Sequence, residues 1–184
     1  ITGKDNSQQA GADMLRLLMR HDIIAPTLDE LTAWFDQASS PQGKANLLTT
    51  IGISARTAGA TEPAIALLSR FVAISSAPEP VIAAHPHTRV PPVIVEAARN
   101  ALLETLAHQP VPTTDQWARV HALTFAPRLD GTHATDVAGV RHLARFLRTE
   151  AETGQIDSAL EHLGVTCTTL APLDKNLRTK ASNK

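Results

Sequence analysis

The sequence predicts an all-α protein, an irregular bundle of about seven to eight helices, and three observations carry that expectation. Alanine and leucine recur at helical spacing. Tyrosine is absent and runs of β-branched residues are short. Pro, Gly, Ser and Thr punctuate the chain at intervals that suit helix starts and stops. With 184 residues, 43% hydrophobic and 19% charged, the chain is long enough for a single helical domain around one core.

The first helix is expected over Ser7–Arg20, turning Met14, Leu15, Leu18 and Met19 inward. A second begins at Thr27: in Thr27-Leu28-Asp29-Glu30 the Thr and Glu side chains each accept from the other's free amide, and Leu28, Leu31, Trp34 and Phe35 then share one face. Ser40-Pro41 reads as an N-cap followed by proline at the first helical position, where a missing amide hydrogen costs nothing. That third helix carries Leu47, Leu48 and Ile51 and should stop near Gly59. Thr61-Glu62-Pro63 opens a fourth, with Ile65, Leu68, Phe71 and Val72 as its apolar stripe. Residues 75–92 hold five of the twelve prolines and cannot continue it, so an extended connection is expected there, with at most one short turn at Val81–Ala84.

A fifth helix runs from Pro92 to His108 and stops before Pro110 and Pro112. Thr113-Thr114-Asp115-Gln116 starts a sixth, with Trp117, Val120 and Leu123 inward. After Pro127 and a turn at Asp130-Gly131, Thr135 caps a seventh, which carries Val137, Val140, Leu143, Ala144 and Leu147 and is closed by Gly154. A short eighth is expected between Ile156 and Gly164, and the tail Asp174–Lys184 adds a frayed basic turn. The helix starts recur at roughly twenty residues, so a short HEAT-like stack of helix pairs is the alternative architecture, although only the length recurs.

Charge and cysteine usage exclude several function classes. Seventeen Lys and Arg face eighteen Asp and Glu, so no global positive charge is available to grip nucleic acid. No apolar run approaches the ~18 to 20 residues that span a bilayer, and the first residues lack a signal-peptide core. The chain starts with Ile rather than Met and is expected to be the C-terminal part of a longer protein. One cysteine, Cys167, rules out an intrachain disulfide and a cysteine-rich zinc site.

As a nucleophile Cys167 is poorly placed, because Val165-Thr166-Cys167-Thr168-Thr169-Leu170 supplies no neighbouring acid or base; a small buried or half-buried residue is the plainer reading. Among eight histidines, His85-Pro86-His87 with His108 or His133 could ligate a metal, but the pair lies in the proline-rich connection and no metal is expected. His121 and His142 follow helix faces and read as partly buried. No Gly-x-Ser-x-Gly elbow, Gly-x-Gly-x-x-Gly loop or Walker pattern occurs, so a hydrolase is a distant reading and no cofactor is expected. Arg141, Arg145 and Arg148 form a basic ridge on the seventh helix, either a solvated face or a docking ridge for an acidic partner.

Length, helical character and the tyrosine-free, Ala/Thr/Pro-rich composition taken whole make the chain resemble the C-terminal ubiquitin-ligase domain of XopL-class type III secreted effectors of plant-pathogenic bacteria. The resemblance implies a scaffold that binds a host ubiquitin-conjugating enzyme charged with ubiquitin and directs transfer to a host substrate protein, using neither a catalytic cysteine nor zinc. It also implies secretion into the host cytoplasm. The conjugating-enzyme surface it implies falls on Pro41 in Ser40-Pro41-Gln42-Gly43, His108 in Leu106-Ala107-His108-Gln109-Pro110, and Leu143 in Arg141-His142-Leu143-Ala144-Arg145. Each has a plainer local explanation: a helix starter, a histidine at a helix C-terminus, and a core leucine. The alternative is a non-enzymatic helical adaptor that docks another protein; exposure of the three residues on one surface would favour the ligase.

Overall fold

The computed structural model describes residues 3–21, 23–75, 90–125 and 137–182, and side chains within 11–72, 90–125 and 139–171 apart from those at 12 and 22. Among the described residues there are eight α-helices and no strand: α1 (Gly3–Arg20), α2 (Leu28–Gln37), α3 (Pro41–Ser54), α4 (Thr61–Ser75), α5 (Pro92–Ala107), α6 (Thr114–Phe125), α7 (Val137–Glu152) and α8 (Ile156–Ser182). The protein is all-α, as the spacing of its apolar residues requires. The expected proline-rich connection, the Asp130-Gly131 turn, the Thr135 cap and the histidines at 85, 87 and 133 lie outside the described residues.

The chain divides into two compact units, residues 1–106 and 107–184. In the first, α1 packs on α3, and α2 on α4. Its core is mostly aliphatic: Leu31, Leu48, Ile51, Leu67, Leu68, Leu103 and Leu106 are all buried, and Phe35 packs on Phe71 beside them. Two helix starts follow their sequence signals. Thr27 and Glu30 close a capping box, the Thr27 amide donating to the Glu30 carboxylate at 2.8 Å and the Glu30 amide to Thr27 Oγ1 at 3.3 Å. The two bonds from Thr27 hold the Glu30 carboxyl below its ordinary pKa. Ser40 Oγ accepts from the Gly43 amide at 3.0 Å, with Pro41 opening α3.

Helix α3 leaves regular α geometry at Ser54, and hydrogen-bonded turns carry the chain on to Gly59. There φ is +62°, and the Ala60 amide reaches back five residues to the Ala55 carbonyl, a closure that needs a left-handed residue. Gly52 lets α3 pass close against α5: a Cβ on it would stand 2.6 Å from Ala101 Cβ. The Thr105 hydroxyl lies in the same crossing, 2.8 Å from the Ala101 carbonyl and 3.3 Å from that of Gly52.

In the second unit α6 packs on α7, and α7 on α8. Thr113 and Gln116 repeat the reciprocal cap at the start of α6. Gly154, at φ +88°, closes α7 with the Gln155 amide on the Glu150 carbonyl at 3.0 Å, the same stop as at Gly59. Gly139 seats against Thr124, whose hydroxyl donates to the Val120 carbonyl at 2.7 Å.

Five expectations differ from the structure. Helix α1 starts at Gly3 rather than Ser7, and Met14 is 58% exposed rather than inward. Ala144 is exposed on α7. The last helix does not stop at Gly164 but runs unbroken through Ser182. Threonines in its middle, Thr166, Thr168 and Thr169, each donate to the carbonyl four residues back, so their hydroxyls are satisfied within the helix and do not end it. That longer helix turns Cys167 to the solvent, where the sequence suggested a buried or half-buried residue.

Candidate functional site

The three residues implied as a conjugating-enzyme surface have three different environments. Pro41 is exposed at the first position of α3. His108, just past the C-terminus of α5, is half-buried, and its ring meets that of His142 edge to face with centroids 6.2 Å apart. Leu143 is 1% exposed in the core of the second unit beside Phe146, so its side chain serves packing. The basic ridge is on the surface: Arg141, Arg145 and Arg148 are exposed, and Arg148 donates to Glu152 at 2.7 Å.

The sequence reading missed the polar centre of the second unit. Glu150, in the last turn of α7, is fully buried. Its Oε1 accepts the Ser158 hydroxyl at 2.7 Å, and its Oε2 lies 3.0 Å from Nδ1 of His162, which is 5% exposed. Both partners project from α8, one helical turn apart, so a single carboxylate ties α7 to α8. His162 also stacks on Trp117 of α6, at a centroid distance of 4.0 Å and an interplanar angle of 5°. Trp117 in turn touches His121 at 5.0 Å, and the indole Nε1 is buried without a hydrogen-bond partner.

His121 is half-buried between Trp117, Phe125 and Thr169, and its Nε2 is 3.3 Å from Thr169 Oγ1. The Thr169 hydroxyl hydrogen is already donated to the Val165 carbonyl. A hydroxyl has one hydrogen, so it accepts from His121, and the neutral ring carries its hydrogen on Nε2. Burial first, and the charge of nearby His162 second, hold the His121 pKa below the ordinary histidine value.

Serine, histidine and glutamate side by side invite comparison with a nucleophilic triad, and the connectivity argues otherwise. In a triad the histidine stands between the serine and the carboxylate; here the carboxylate stands between the serine and the histidine. The Ser158 proton is held by Glu150, so the arrangement stabilises rather than activates the hydroxyl. The signal for this network was present in the sequence: Glu150 falls seven residues after Leu143, on the inward stripe of its helix.

A neighbouring face of α8, about a quarter-turn round from the buried one, presents apolar residues to solvent. Ile156, Leu160 and Leu163 are 59%, 62% and 45% exposed, and Cys167 follows on the same stripe. Their spacing of four, three and four residues aligns them along one helix face, while Ala159, His162 and Thr166 are buried on the adjoining one. A further feature, in the first unit, is a shallow recess of about 240 Å³ lined by Ile24, Ala25, Pro26, Glu30 and Trp34. That is smaller than the ~300 Å³ at which small-molecule sites begin, and the Glu30 carboxylate there is already engaged by Thr27.

Among the described residues no helix is long and apolar enough to cross a membrane. Compared with known proteins, the chain matches no family, no curated protein and no solved structure.

Proposed function

We propose that the chain is a protein-docking module that recruits a ubiquitin-conjugating enzyme charged with ubiquitin and promotes transfer to a substrate protein, as a ligase without a catalytic cysteine or zinc of its own. The observation that supports docking is the exposed stripe of Ile156, Leu160, Leu163 and Cys167 on α8. Clusters of exposed aliphatic side chains on a rigid helix are a usual seat for a partner protein. The choice of partner rests on the resemblance to effector ubiquitin-ligase domains, and with it the proposed site of action, the host cytoplasm. The polar network supports the scaffold mechanism, since the Ser158 hydroxyl is bonded to a carboxylate that also holds His162 and not to the histidine itself. In such a mechanism the ligase contributes proximity and orientation, and the conjugating enzyme's thioester supplies the chemistry.

The second reading is a helical adaptor without ligase activity, and the burial of Leu143 favours it, because a core leucine is not available as a docking residue. An in vitro ubiquitination assay with a panel of conjugating enzymes separates the two. The ligase reading expects polyubiquitin formation that survives Cys167→Ala and a metal chelator, and that falls at least about tenfold in Leu160→Arg, whose exposed position leaves stability within ~0.5 kcal/mol. No ubiquitin transfer with any enzyme of the panel would leave the adaptor. Loss of transfer in Cys167→Ala alone would replace the scaffold with a thioester mechanism.

A further inference from the structure

Three helices of the second unit meet at one buried polar cluster, and its titratable members are arranged unequally. From α7 comes the Glu150 carboxylate, from α8 the imidazole of His162, and from α6 the imidazole of His121, with Trp117 in contact with both rings. Ser158, Thr169 and Phe125 supply the uncharged remainder. We propose that this cluster is an acid-sensitive latch: the Glu150–Ser158–His162 network is its catch, His121 is its trigger, and a proton on His121 loosens the first half of α8 from α6 and α7.

The catch is two hydrogen bonds to one fully buried carboxylate, both from α8, placed on the two turns that hold Ala159, His162 and Thr166 inward. Charge-assisted bonds in a buried setting are strong while intact and costly once one donor leaves. His162 belongs both to the catch and to the ring stack, so displacement of Trp117 reaches Glu150 through one side chain. The trigger sits at the other edge of Trp117. Neutral His121 spends its Nε2 hydrogen on Thr169, so an incoming proton must go to Nδ1.

That proton creates a positive charge in a half-buried ring whose titratable neighbour on α8 is another histidine. The cluster's carboxylate is already committed to Ser158 and His162. The sign follows. A histidine whose folded pKa is lowered favours the folded state above the ordinary histidine range, ~6.5, and that contribution is lost as pH falls through the folded value. Near neutrality the latch is closed, and mild acid opens it.

The test uses the whole chain. Histidine resonances followed by NMR between about pH 7.5 and pH 5 should show His121 titrating below the ordinary histidine value, ~6.5. Over the same range, amide exchange across residues 156–166, corrected for its intrinsic pH dependence, should accelerate about tenfold relative to amides of α3. In His121→Gln, which keeps a donor for Thr169 and cannot be charged, that acceleration should shrink below about twofold. A His121 that titrates at or above ~6.5, acid loosening spread evenly over all helices, or a His121→Gln chain that opens like wild type would each overturn the latch. Should His121→Gln fail to fold, the titration and exchange of the wild-type chain still decide the matter.

Discussion

The two units use the same joints and fill them differently. Each closes a helix with a left-handed glycine, Gly59 in one and Gly154 in the other. Each lets a glycine sit against a neighbouring helix beside a threonine hydroxyl, Gly52 with Thr105 and Gly139 with Thr124. The first unit then fills its interior mainly with aliphatic and aromatic side chains, with Arg99 as a buried charge, whereas the second places a carboxylate and an imidazole at its centre. Aliphatic packing yields stability with no dependence on pH; a buried polar network yields directionality at the risk of a large penalty when one member is lost. On this contrast the first unit is a support, and the second is the part whose state can be changed.

Substitutions can break the contrast. The largest effects are expected at the two centres. Leu48→Ala should destabilise the first unit by about 2–5 kcal/mol, equally at neutral and mildly acid pH, because it removes only packing. Glu150→Ala should cost the second unit about 3 kcal/mol at neutral pH by leaving Ser158 and His162 without their acceptor. Chemical denaturation at two pH values checks both. A Glu150→Ala chain as stable as wild type would make the second unit another hydrophobic core in which the carboxylate is incidental.

The glycines sharpen it at an intermediate scale. At Gly52 a Cβ would meet Ala101 backbone and side-chain atoms at 2.6–2.8 Å, and helix backbone cannot yield cheaply. At Gly139 the nearest atom is the Thr124 methyl at 3.1 Å, which can give by a few tenths of an ångström. Gly52→Ala should therefore cost about 1–3 kcal/mol and Gly139→Ala less than about 1 kcal/mol, as thermal unfolding of the two variants would show. Equal losses would mean that the α5 backbone adapts as readily as a methyl group.

The smallest effects belong to the caps. Ser40→Ala removes the acceptor for the Gly43 amide and should cost ~1 kcal/mol. The Thr27–Glu30 box adds an acid dependence confined to α2. Its contribution is present above the ordinary carboxylate range and is lost as pH falls through the lowered Glu30 value. Exchange of α2 amides below about pH 4 should rise in wild type and be unaffected by acid in Glu30→Gln.

Most of the fold was legible because it rests on local signals. The Thr27 box, the Ser40-Pro41 start, the Thr113 start and the Gly154 stop are written within four residues of the bonds they make. The site was less legible because its bonds are not local. Glu150 and His162 are twelve residues apart across a helix stop, and His121 meets Thr169 forty-eight residues away. Ending the last helix at Gly164 hid both faces of α8 at once, since neither the inward Ala159–His162–Thr166 row nor the outward Ile156–Leu160–Leu163–Cys167 row repeats often enough in nine residues to stand out. A glycine in mid-helix is a weaker stop than one with a positive φ, and Gly164, unlike Gly154, has none.

The chain's aromatic poverty has an optical consequence. It contains two tryptophans and no tyrosine, and the two indoles are divided between the units, Trp34 in α2 and Trp117 in α6. Every photon of intrinsic emission excited near 295 nm thus originates from one unit or the other. Removing one indole by Trp34→Phe leaves a lamp placed directly against the two imidazoles of the polar cluster, and removing the other leaves a lamp beside the Glu30 cap. The molecule carries its own pair of independent dyes, one for each half.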